Sequence, residues 1–281
     1  MTILAPPQEQ RQPSLSESGQ PAIRFDKVAI AFENPVLEGI SFELPHGETK
    51  ILMGEAGTGK TLTLKLALGL LKPDFGRITV LGEEITSMRE QDLFALRRNI
   101  GMVFQESALF DSLTVEENVA YRLIEETGRV TEEIHARVLE VLRFVELEHT
   151  VKLFPSELSG GMRRRVAIAR AIITQPKVVL YDSPTGGLDP VTSNTIIELI
   201  VKQRDVYRTS SLLVTSRLQD AFTMATRHFD REQNKMVAIG DGTPSDVHTT
   251  FLMLHGGKVI FEGTAAELLR SKDPYIREYL S

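Results

Sequence analysis

The sequence predicts an α/β fold with a mostly parallel core sheet, an antiparallel β subdomain and a helical subdomain. Two bare apolar runs, VVLYD (178–182) and SLLVT (211–215), are typical of buried parallel strands. Near the start, AIRFDKVAIAF (22–32) and GISFEL (39–44) alternate apolar and polar residues, which is typical of antiparallel strands with one exposed face. From about 106 to 175, apolar residues recur three and four positions apart, and this spacing predicts helices.

In chain order, the first segment is a polar arm. Residues 1–21 are rich in Pro, Gln and Ser, so we expect a disordered arm before a domain that spans 22–281. After the two alternating runs, ETKILMG (48–54) predicts a short buried strand and LTLKLALGLL (62–71) predicts a helix. A turn and a further strand follow within residues 72–85.

The rest of the chain completes the sheet and adds the helical subdomain, at about 106–175. IGMVFQ (100–105) predicts a strand, and helical patterns cover 114–127, 131–145 and 158–173. Residues 227–250 are polar and carry Gly and Pro in their second half, so we expect an insertion or long loop there. TTFLMLHGGKVIFEG (249–263) predicts a hairpin that turns at His255-Gly256-Gly257.

Composition excludes several classes of function. The formal net charge of −6 argues against a general nucleic-acid binder, because such proteins usually present a basic face. The chain has no cysteine, so disulfides and thiolate metal sites are ruled out. Its apolar runs are all shorter than the roughly eighteen residues that a membrane-spanning helix needs. We therefore expect a cytoplasmic protein with no nucleic-acid partner.

A phosphate-binding loop lies between the strand at 48–54 and the helix that follows. The segment fits the pattern G-x-x-x-x-G-K-[ST] in the strand–loop–helix context that this pattern requires. Glycines let the backbone wrap closely around phosphate, the helix N-terminus supplies positive potential, and the lysine adds a charge at the β- and γ-phosphates. The predicted nucleotide contacts are Gly54, Glu55, Ala56, Gly57, Thr58, Gly59, Lys60, Thr61 and Leu62.

A magnesium site is predicted beside this loop. Asp182 ends a second buried strand, and the carboxyl ends of parallel strands meet at one edge of a sheet. Its carboxylate is therefore expected to hold Mg²⁺, through water, together with the hydroxyl of Thr61. The sequence thus predicts a site for Mg²⁺ and the phosphates of a nucleotide.

These two motifs, with LSGGM (158–162) between them and GLDP (187–190) after them, resemble those of the ATP-binding cassette (ABC) family over about residues 23–270. The resemblance implies the P-loop ABC ATPase fold and a dimer. It implies that Ser159, Gly160 and Gly161 form a signature loop that approaches the γ-phosphate bound by the other subunit. It also assigns a Mg²⁺ and water contact to Gln105, an adenine-stacking role to Phe32, and the D-loop aspartate to Asp189.

Within that family, the chain looks most like the ATPase subunits of bacterial Mla-type (MCE-associated) lipid transporters and their chloroplast relatives. The segments that carry this similarity are ESALFDSLTVEENVAYRL (106–123), PSELSGGMRRRVAIARAI (155–172) and DPYIREYL (273–280). The similarity implies a second copy of the chain, transmembrane permease subunits and an MCE-type substrate-binding protein as partners. It also implies a peripheral location on the inner face of the cell membrane.

Two serines depart from the family pattern. Ser183 follows Asp182 where the family has a glutamate that polarises the attacking water, and Ser216 follows Thr215 where the family has a histidine. A serine hydroxyl is not a useful base at neutral pH and cannot become a cation. Since a positioned acid or base is typically worth about 10² to 10⁴ in rate, hydrolysis should be severely impaired. Lys60 and Gln105 remain as the other catalytic candidates. Nucleotide binding should persist, because the residues assigned to it are all present: Phe32, the phosphate loop with Lys60 and Thr61, Gln105, Asp182 and the signature loop.

Three interpretations of function stay open at this point. The chain is either a hydrolysis-deficient homodimeric transporter subunit, natural or engineered, or a degenerate partner in a heterodimer with a related ATPase subunit, or an ATP-sensing cassette protein without a permease.

Two other side chains are candidates to replace the missing glutamate and histidine. We expect Glu106 to need reorientation before it could act as a base, and His228 to lie beyond a helix, away from the site.

Overall fold

The computed structural model describes residues 19–239 and 248–281. Most of the predicted N-terminal arm and part of the predicted insertion therefore lie outside the described residues. The strands are β1 (Ile23–Ala31), β2 (Pro35–Leu44), β3 (Thr49–Met53), β4 (Phe75–Val80), β5 (Glu83–Glu84), β6 (Ile100–Val103), β7 (Val178–Asp182), β8 (Ser210–Val214), β9 (Arg227–Asp230), β10 (Lys235–Ala238), β11 (Thr249–His255) and β12 (Lys258–Gly263). The α-helices are α1 (Lys60–Ala67), α2 (Glu90–Arg97), α3 (Val115–Thr127), α4 (Glu132–Phe144), α5 (Gly160–Ile172), α6 (Pro190–Tyr207), α7 (Leu218–Thr226), α8 (Ala265–Leu269) and α9 (Pro274–Leu280).

A six-stranded sheet in the order β12-β11-β3-β8-β7-β6 forms the centre of the protein. All neighbouring pairs from β11 to β6 are parallel, and β12 is an antiparallel edge strand paired with β11. This arrangement confirms the predicted, mostly parallel core sheet. Because β3, β7 and β8 run in the same direction, the segments that follow them emerge at one edge of the sheet.

The two faces of this sheet pack against different layers. Successive residues of a strand point to opposite faces, so Ile51 and Met53 join one apolar cluster while Leu52 joins the other. The cluster around Leu52 includes residues of the antiparallel sheet β2-β1-β4-β5 and of helices α1 and α2. The cluster around Ile51 includes residues of α3 to α7. The core sheet therefore lies between an antiparallel β layer and a helical layer.

The helical layer owes its boundaries to side-chain caps. Thr114 begins α3 with a capping box, in which its hydroxyl accepts from the Glu117 amide and the Glu117 side chain accepts from the Thr114 amide. Ser159 begins α5 by accepting a hydrogen bond from the backbone N–H of Met162 (3.2 Å). Such caps satisfy amides that have no partner within the helix, so they fix where each helix starts.

The segment predicted as an insertion or long loop contains a hairpin. β9 and β10 pair antiparallel, with His228 opposite Val237, so residues 227–238 are not irregular. Asp230 forms the turn by accepting from the amides of Glu232 (2.8 Å) and Gln233 (2.9 Å). This hairpin has no clear signal in the sequence, because its turn lacks the Asn-Gly or Asp-Gly pair that marks a short hairpin.

The helices predicted from the sequence do not include α2, α6, α8 and α9. Helices α2, α8 and α9 are short, whereas α6 has 18 residues and buries side chains around much of its surface, so its apolar positions form no single stripe. Across residues 19–239 and 248–281, no helix has both the length and the apolar character needed to cross a bilayer.

Candidate nucleotide-binding site

The predicted phosphate loop connects β3 to α1 at the carboxyl edge of the core sheet. Helix α1 starts at Lys60, and Gly59 is its N-cap in a left-handed conformation with φ 92°. The first amides of α1 therefore lie beside the loop without a side-chain cap. Free amides at a helix N-terminus are a ready site for an anion such as phosphate.

Two glycines of the loop are required by the space around them. Gly54 has φ 144°, and a methyl group there would lie 2.4 Å from the Leu254 carbonyl oxygen of the neighbouring strand β11. A methyl group on Gly59 would lie 2.6 Å from Cδ2 of Leu37. Real Cβ atoms do not approach other atoms so closely. The loop therefore packs against β2 and β11 with a backbone conformation that favours glycine at both positions.

The lysine of the loop is held by the loop itself. The Lys60 ammonium donates to the carbonyl oxygens of Gly54 (2.8 Å) and Glu55 (2.5 Å). Burial lowers the pKa of Lys60, while the nearby carboxylates of Asp182 and Glu55 oppose that shift. The site thus contains a half-buried cation that can exchange carbonyl partners for the oxygens of a phosphate.

Thr61 and Asp182 meet as the sequence predicts. The Thr61 hydroxyl donates to Oδ1 of Asp182 (3.0 Å), and the carboxylate is 5% exposed. Burial raises the pKa of Asp182, and the Thr61 hydrogen bond and the cations of Lys65 and Lys60 oppose this rise. A carboxylate and a hydroxyl side by side are the oxygen ligands that Mg²⁺ prefers, so these residues fit that ion.

Both departures from the family pattern lie at this edge of the sheet. Ser183 directly follows β7 with φ 44°, a left-handed conformation that is uncommon for residues other than glycine, and its N–H donates to the carbonyl of Val214 (2.9 Å). Ser216 is exposed two residues after the end of β8. The hydroxyl groups of both serines are shorter and far less basic than the groups they replace.

Gln105 lies close to the turn that follows Ser183. A methyl group on Gly186 would lie 3.6 Å from Cγ of Gln105 and 3.1 Å from the Ser183 carbonyl oxygen. Glu106 lines a cavity with Gln105, and His228 lies in β9 beyond α7. The structure thus brings Gln105 and Ser183 together and places His228 on a separate element.

The signature loop packs against the loop that contains Asp189. A methyl group on Gly161 would lie 2.5 Å from Cγ2 of Thr192, and one on Gly160 would lie 3.7 Å from Cδ2 of Leu188. Asp189 caps α6, with Oδ1 accepting from the backbone N–H of Val191 and of Thr192 (both 3.0 Å). A hydrogen bond from the Thr192 side chain has the largest effect in lowering the pKa of Asp189, and the backbone N–H groups of Thr192 and Val191 lower it further. Asp189 therefore acts as the N-cap of α6.

Phe32 is available for a ligand. It directly follows β1, and its side chain is 65% exposed. An exposed aromatic ring has a free face on which a planar base can stack. Its position at the end of the antiparallel layer is compatible with the predicted adenine contact.

An ionic network, which the sequence does not predict, joins the loop that follows β7 to the loop that follows β8. The guanidinium of Arg217, directly after Ser216, donates to the Ser193 hydroxyl (2.8 Å) and to the carbonyl oxygens of Thr185 and Leu188 (both 3.3 Å). It also pairs with Asp220 (Nε to Oδ2 3.4 Å), whose buried carboxylate accepts from the Thr185 hydroxyl. No motif marks these residues, because the network joins segments that are distant in sequence.

Two further residues close to the site, Arg164 and Tyr279, are not marked by any sequence motif. Arg164 is buried and donates to the carbonyl oxygens of Phe104 (2.8 Å) and Gly186 (3.3 Å), which ties the Gln105 loop to the turn after Ser183. Burial lowers the pKa of Arg164, and the carboxylates of Asp182 and Glu106 oppose that shift. Tyr279 in α9 contacts Gly54 of the phosphate loop.

Comparison with known proteins gives one consistent result. Residues 37–186 match the family model described as ABC transporter. The chain is 35% identical over 255 residues to the chloroplast protein TRIGALACTOSYLDIACYLGLYCEROL 3 of Arabidopsis thaliana, with 88% of this chain and 69% of that protein covered. It is 32% identical over 245 residues to the intermembrane phospholipid transport system ATP-binding protein MlaF of Escherichia coli K12, with coverage of 87% and 82%.

Solved structures agree with this match. The ATP-binding cassette MJ0796, in a dimeric post-hydrolysis state bound to ADP and Pi, superposes with a TM-score of 0.71 at 28% identity. The superposition covers 86% of this chain and 98% of that one. The α/β architecture with its antiparallel sheet and helical layer is therefore the architecture of an ABC cassette.

Proposed function

The chain belongs to the ABC transporter family as an ATP-binding subunit, and on that premise we propose that it binds Mg²⁺ and ATP, closes as a dimer and hydrolyses ATP very slowly. The observation that carries this proposal is the contrast at the carboxyl edge of the sheet. Lys60, Thr61 and Asp182 are assembled there, whereas serines occupy positions 183 and 216.

The binding half of the proposal rests on the phosphate loop. Lys60 and the free amides of α1 would bind the phosphates, the exposed ring of Phe32 would stack on the adenine, and Thr61 and Asp182 would hold Mg²⁺. When bound, Mg²⁺ neutralises part of the charge on the phosphate oxygens. The residues that bind therefore form a complete set without Ser183 or Ser216.

The slow chemistry follows from what the two serines lack. A water molecule that attacks the terminal phosphorus must lose a proton, and a general base contributes about 10² to 10⁴ in rate. Ser183 has no basic group, and Ser216 cannot carry the positive charge that stabilises the developing phosphate charge. Gln105 can orient a water molecule but cannot accept its proton at neutral pH.

The dimer is proposed because the resemblance to the family assigns to the signature loop a contact with the nucleotide bound by the other subunit. Ser159, Gly160 and Gly161 form the N-terminus of α5, where amides favour an anion. MJ0796, a cassette with the same fold, is dimeric with bound ADP and Pi. An ATP that is not hydrolysed would keep bridging the phosphate loop of one subunit and the signature loop of the other, so the closed dimer should open slowly.

The proposed cargo is a phospholipid or another hydrophobic molecule, because one similar protein is named for intermembrane phospholipid transport. The proposed partners are permease subunits and an MCE-type substrate-binding protein, with the chain peripheral on the inner face of the membrane. Exposed aromatic side chains support a permease contact. Phe110 and Tyr121 stack at 4.6 Å between ring centroids, and both are more than a third exposed.

Binding and dimerisation can be tested together. Calorimetric titration should show Mg²⁺-dependent ATP binding to the wild-type chain, and sedimentation should show a dimer that forms only with ATP. Lys60→Ala should abolish both, because it removes the cation that contacts the phosphates. A monomer at saturating ATP, or a stable complex with a different nucleotide-binding chain only, would contradict the homodimer.

A further inference from the structure

The last helix, α9, reaches the phosphate loop. Asp273 caps it by accepting from the backbone N–H of Ile276 (3.1 Å), and the side chain of Ile276 is buried. One turn further along, the Tyr279 hydroxyl donates to the carbonyl oxygen of Gly54 (3.3 Å). Burial raises the pKa of Tyr279, so the hydroxyl remains a donor at neutral pH.

The Gly54 oxygen therefore has two donors. The Lys60 ammonium and the Tyr279 hydroxyl both bond to it. Gly54 is buried, and its Cα lies against the backbone of Leu254, so the peptide has little freedom to turn toward water. A buried carbonyl oxygen without a hydrogen-bond donor raises the free energy of the protein. If one of the two donors leaves the Gly54 oxygen, the other donor prevents this cost.

Nucleotide binding is expected to change the partners of Lys60. Its ammonium has three N–H groups, and two of them bond to the carbonyls of Gly54 and Glu55. Phosphate oxygens are charged and therefore stronger acceptors than these carbonyls, so we expect the ammonium to exchange the carbonyls for the β- and γ-phosphates. When it leaves the Gly54 oxygen, Tyr279 is the donor that stays.

We propose that Tyr279 is a positioning residue for ATP binding: its hydroxyl keeps the Gly54 carbonyl bonded while Lys60 moves onto the phosphates. The inference rests on the proposed function. It assigns to the C-terminal helix a direct influence on nucleotide affinity, exerted through the backbone of the phosphate loop. Tyr279 itself does not contact the nucleotide.

The test is Tyr279→Phe, which removes only the hydroxyl. Titration with Mg²⁺ and ATP should give an affinity about 3- to 10-fold weaker than wild type, the loss expected for one neutral hydrogen bond. The melting temperature of the nucleotide-free protein should hardly change, because Lys60 still bonds to Gly54 in that state. Tyr207→Phe is the matched control, since it removes a tyrosine hydroxyl at the end of α6 and should leave the affinity unchanged.

The outcomes separate the two proposals. Wild-type affinity in Tyr279→Phe would overturn this inference and leave the proposed function intact. A fall in the melting temperature of the nucleotide-free variant large enough to account for the weaker binding would also overturn it, because the residue would then be merely structural. A wild-type chain that does not bind Mg²⁺ and ATP would overturn the proposed function, and this inference with it.

Discussion

Replacing Arg217 by alanine should destabilise the protein and weaken its ATP-dependent dimer. Arg217 connects the loop after β8 to the loop that contains Asp189, through one hydroxyl, two carbonyl oxygens and the carboxylate of Asp220. Without the guanidinium, Asp220 stays 2% exposed with the Thr185 hydroxyl as its remaining donor among these contacts. The loop would lose the cation that holds its carbonyl groups in place.

The size of the effect follows from burial. Removing one partner of a fully buried ion pair typically costs about 3 to 5 kcal/mol. The Arg217 side chain is 31% exposed, so water can replace part of what is lost, and we expect about 2 to 3 kcal/mol. Arg217→Lys should recover only part of this, because a single ammonium cannot reach all four acceptors of the planar guanidinium.

Urea denaturation gives the change in the free energy of unfolding, and sedimentation with ATP gives the dimer population. Arg89→Ala is the matched control, since Arg89 forms an ion pair with Asp92 at an exposed site and its loss should not be measurable. If Arg217→Ala were as stable as Arg89→Ala and dimerised normally, the network would not be what keeps the loop that contains Asp189 in place.

Three further substitutions, one of them combined with a pH titration, test other parts of the structure. Gly54→Ala should abolish ATP binding because its methyl group would meet the Leu254 carbonyl oxygen at 2.4 Å. Gly57→Ala puts no methyl group within 4 Å of a neighbour and is strained only through its φ of 82°, so it should weaken binding less. Equal effects in a nucleotide titration would contradict this. Burial, together with the charge of Lys177, lowers the pKa of His46. The folded state therefore binds this proton less readily than the unfolded state, so unfolding in urea should become easier as the pH falls below about 6.5, and His46→Gln should reduce that dependence.

Much of the fold could be predicted because its signals are local. The continuous apolar run of β7 indicates burial on both faces of the strand, and the alternation in β1 indicates burial on one face. Both strands form where expected. Helix α9 and the hairpin of β9 and β10 gave no such signal. They are short, and contacts from other elements stabilise them, such as the donation from Arg204 to the Arg227 carbonyl (2.8 Å).

The candidate site likewise contains some residues that the sequence predicts and others that it does not. The phosphate loop and Asp182 could be found because close contact with phosphate and metal restricts which residue types are possible. Arg164, Arg217 and Tyr279 could not, because their roles depend on which backbone carbonyls the fold brings near them. Such contacts follow from tertiary structure and leave no fixed spacing in the sequence.

The separation of nucleotide binding from hydrolysis is tested most directly by steady-state phosphate release. It should be measured on the wild-type chain, on Ser183→Glu, on Ser216→His and on the double variant, with all four saturated with Mg²⁺ and ATP. We expect the wild type to bind ATP but to release phosphate at least about 100-fold more slowly than the double variant, with Ser183→Glu giving the larger single gain. A wild-type rate equal to that of the double variant would show that another group activates the water and would contradict this separation.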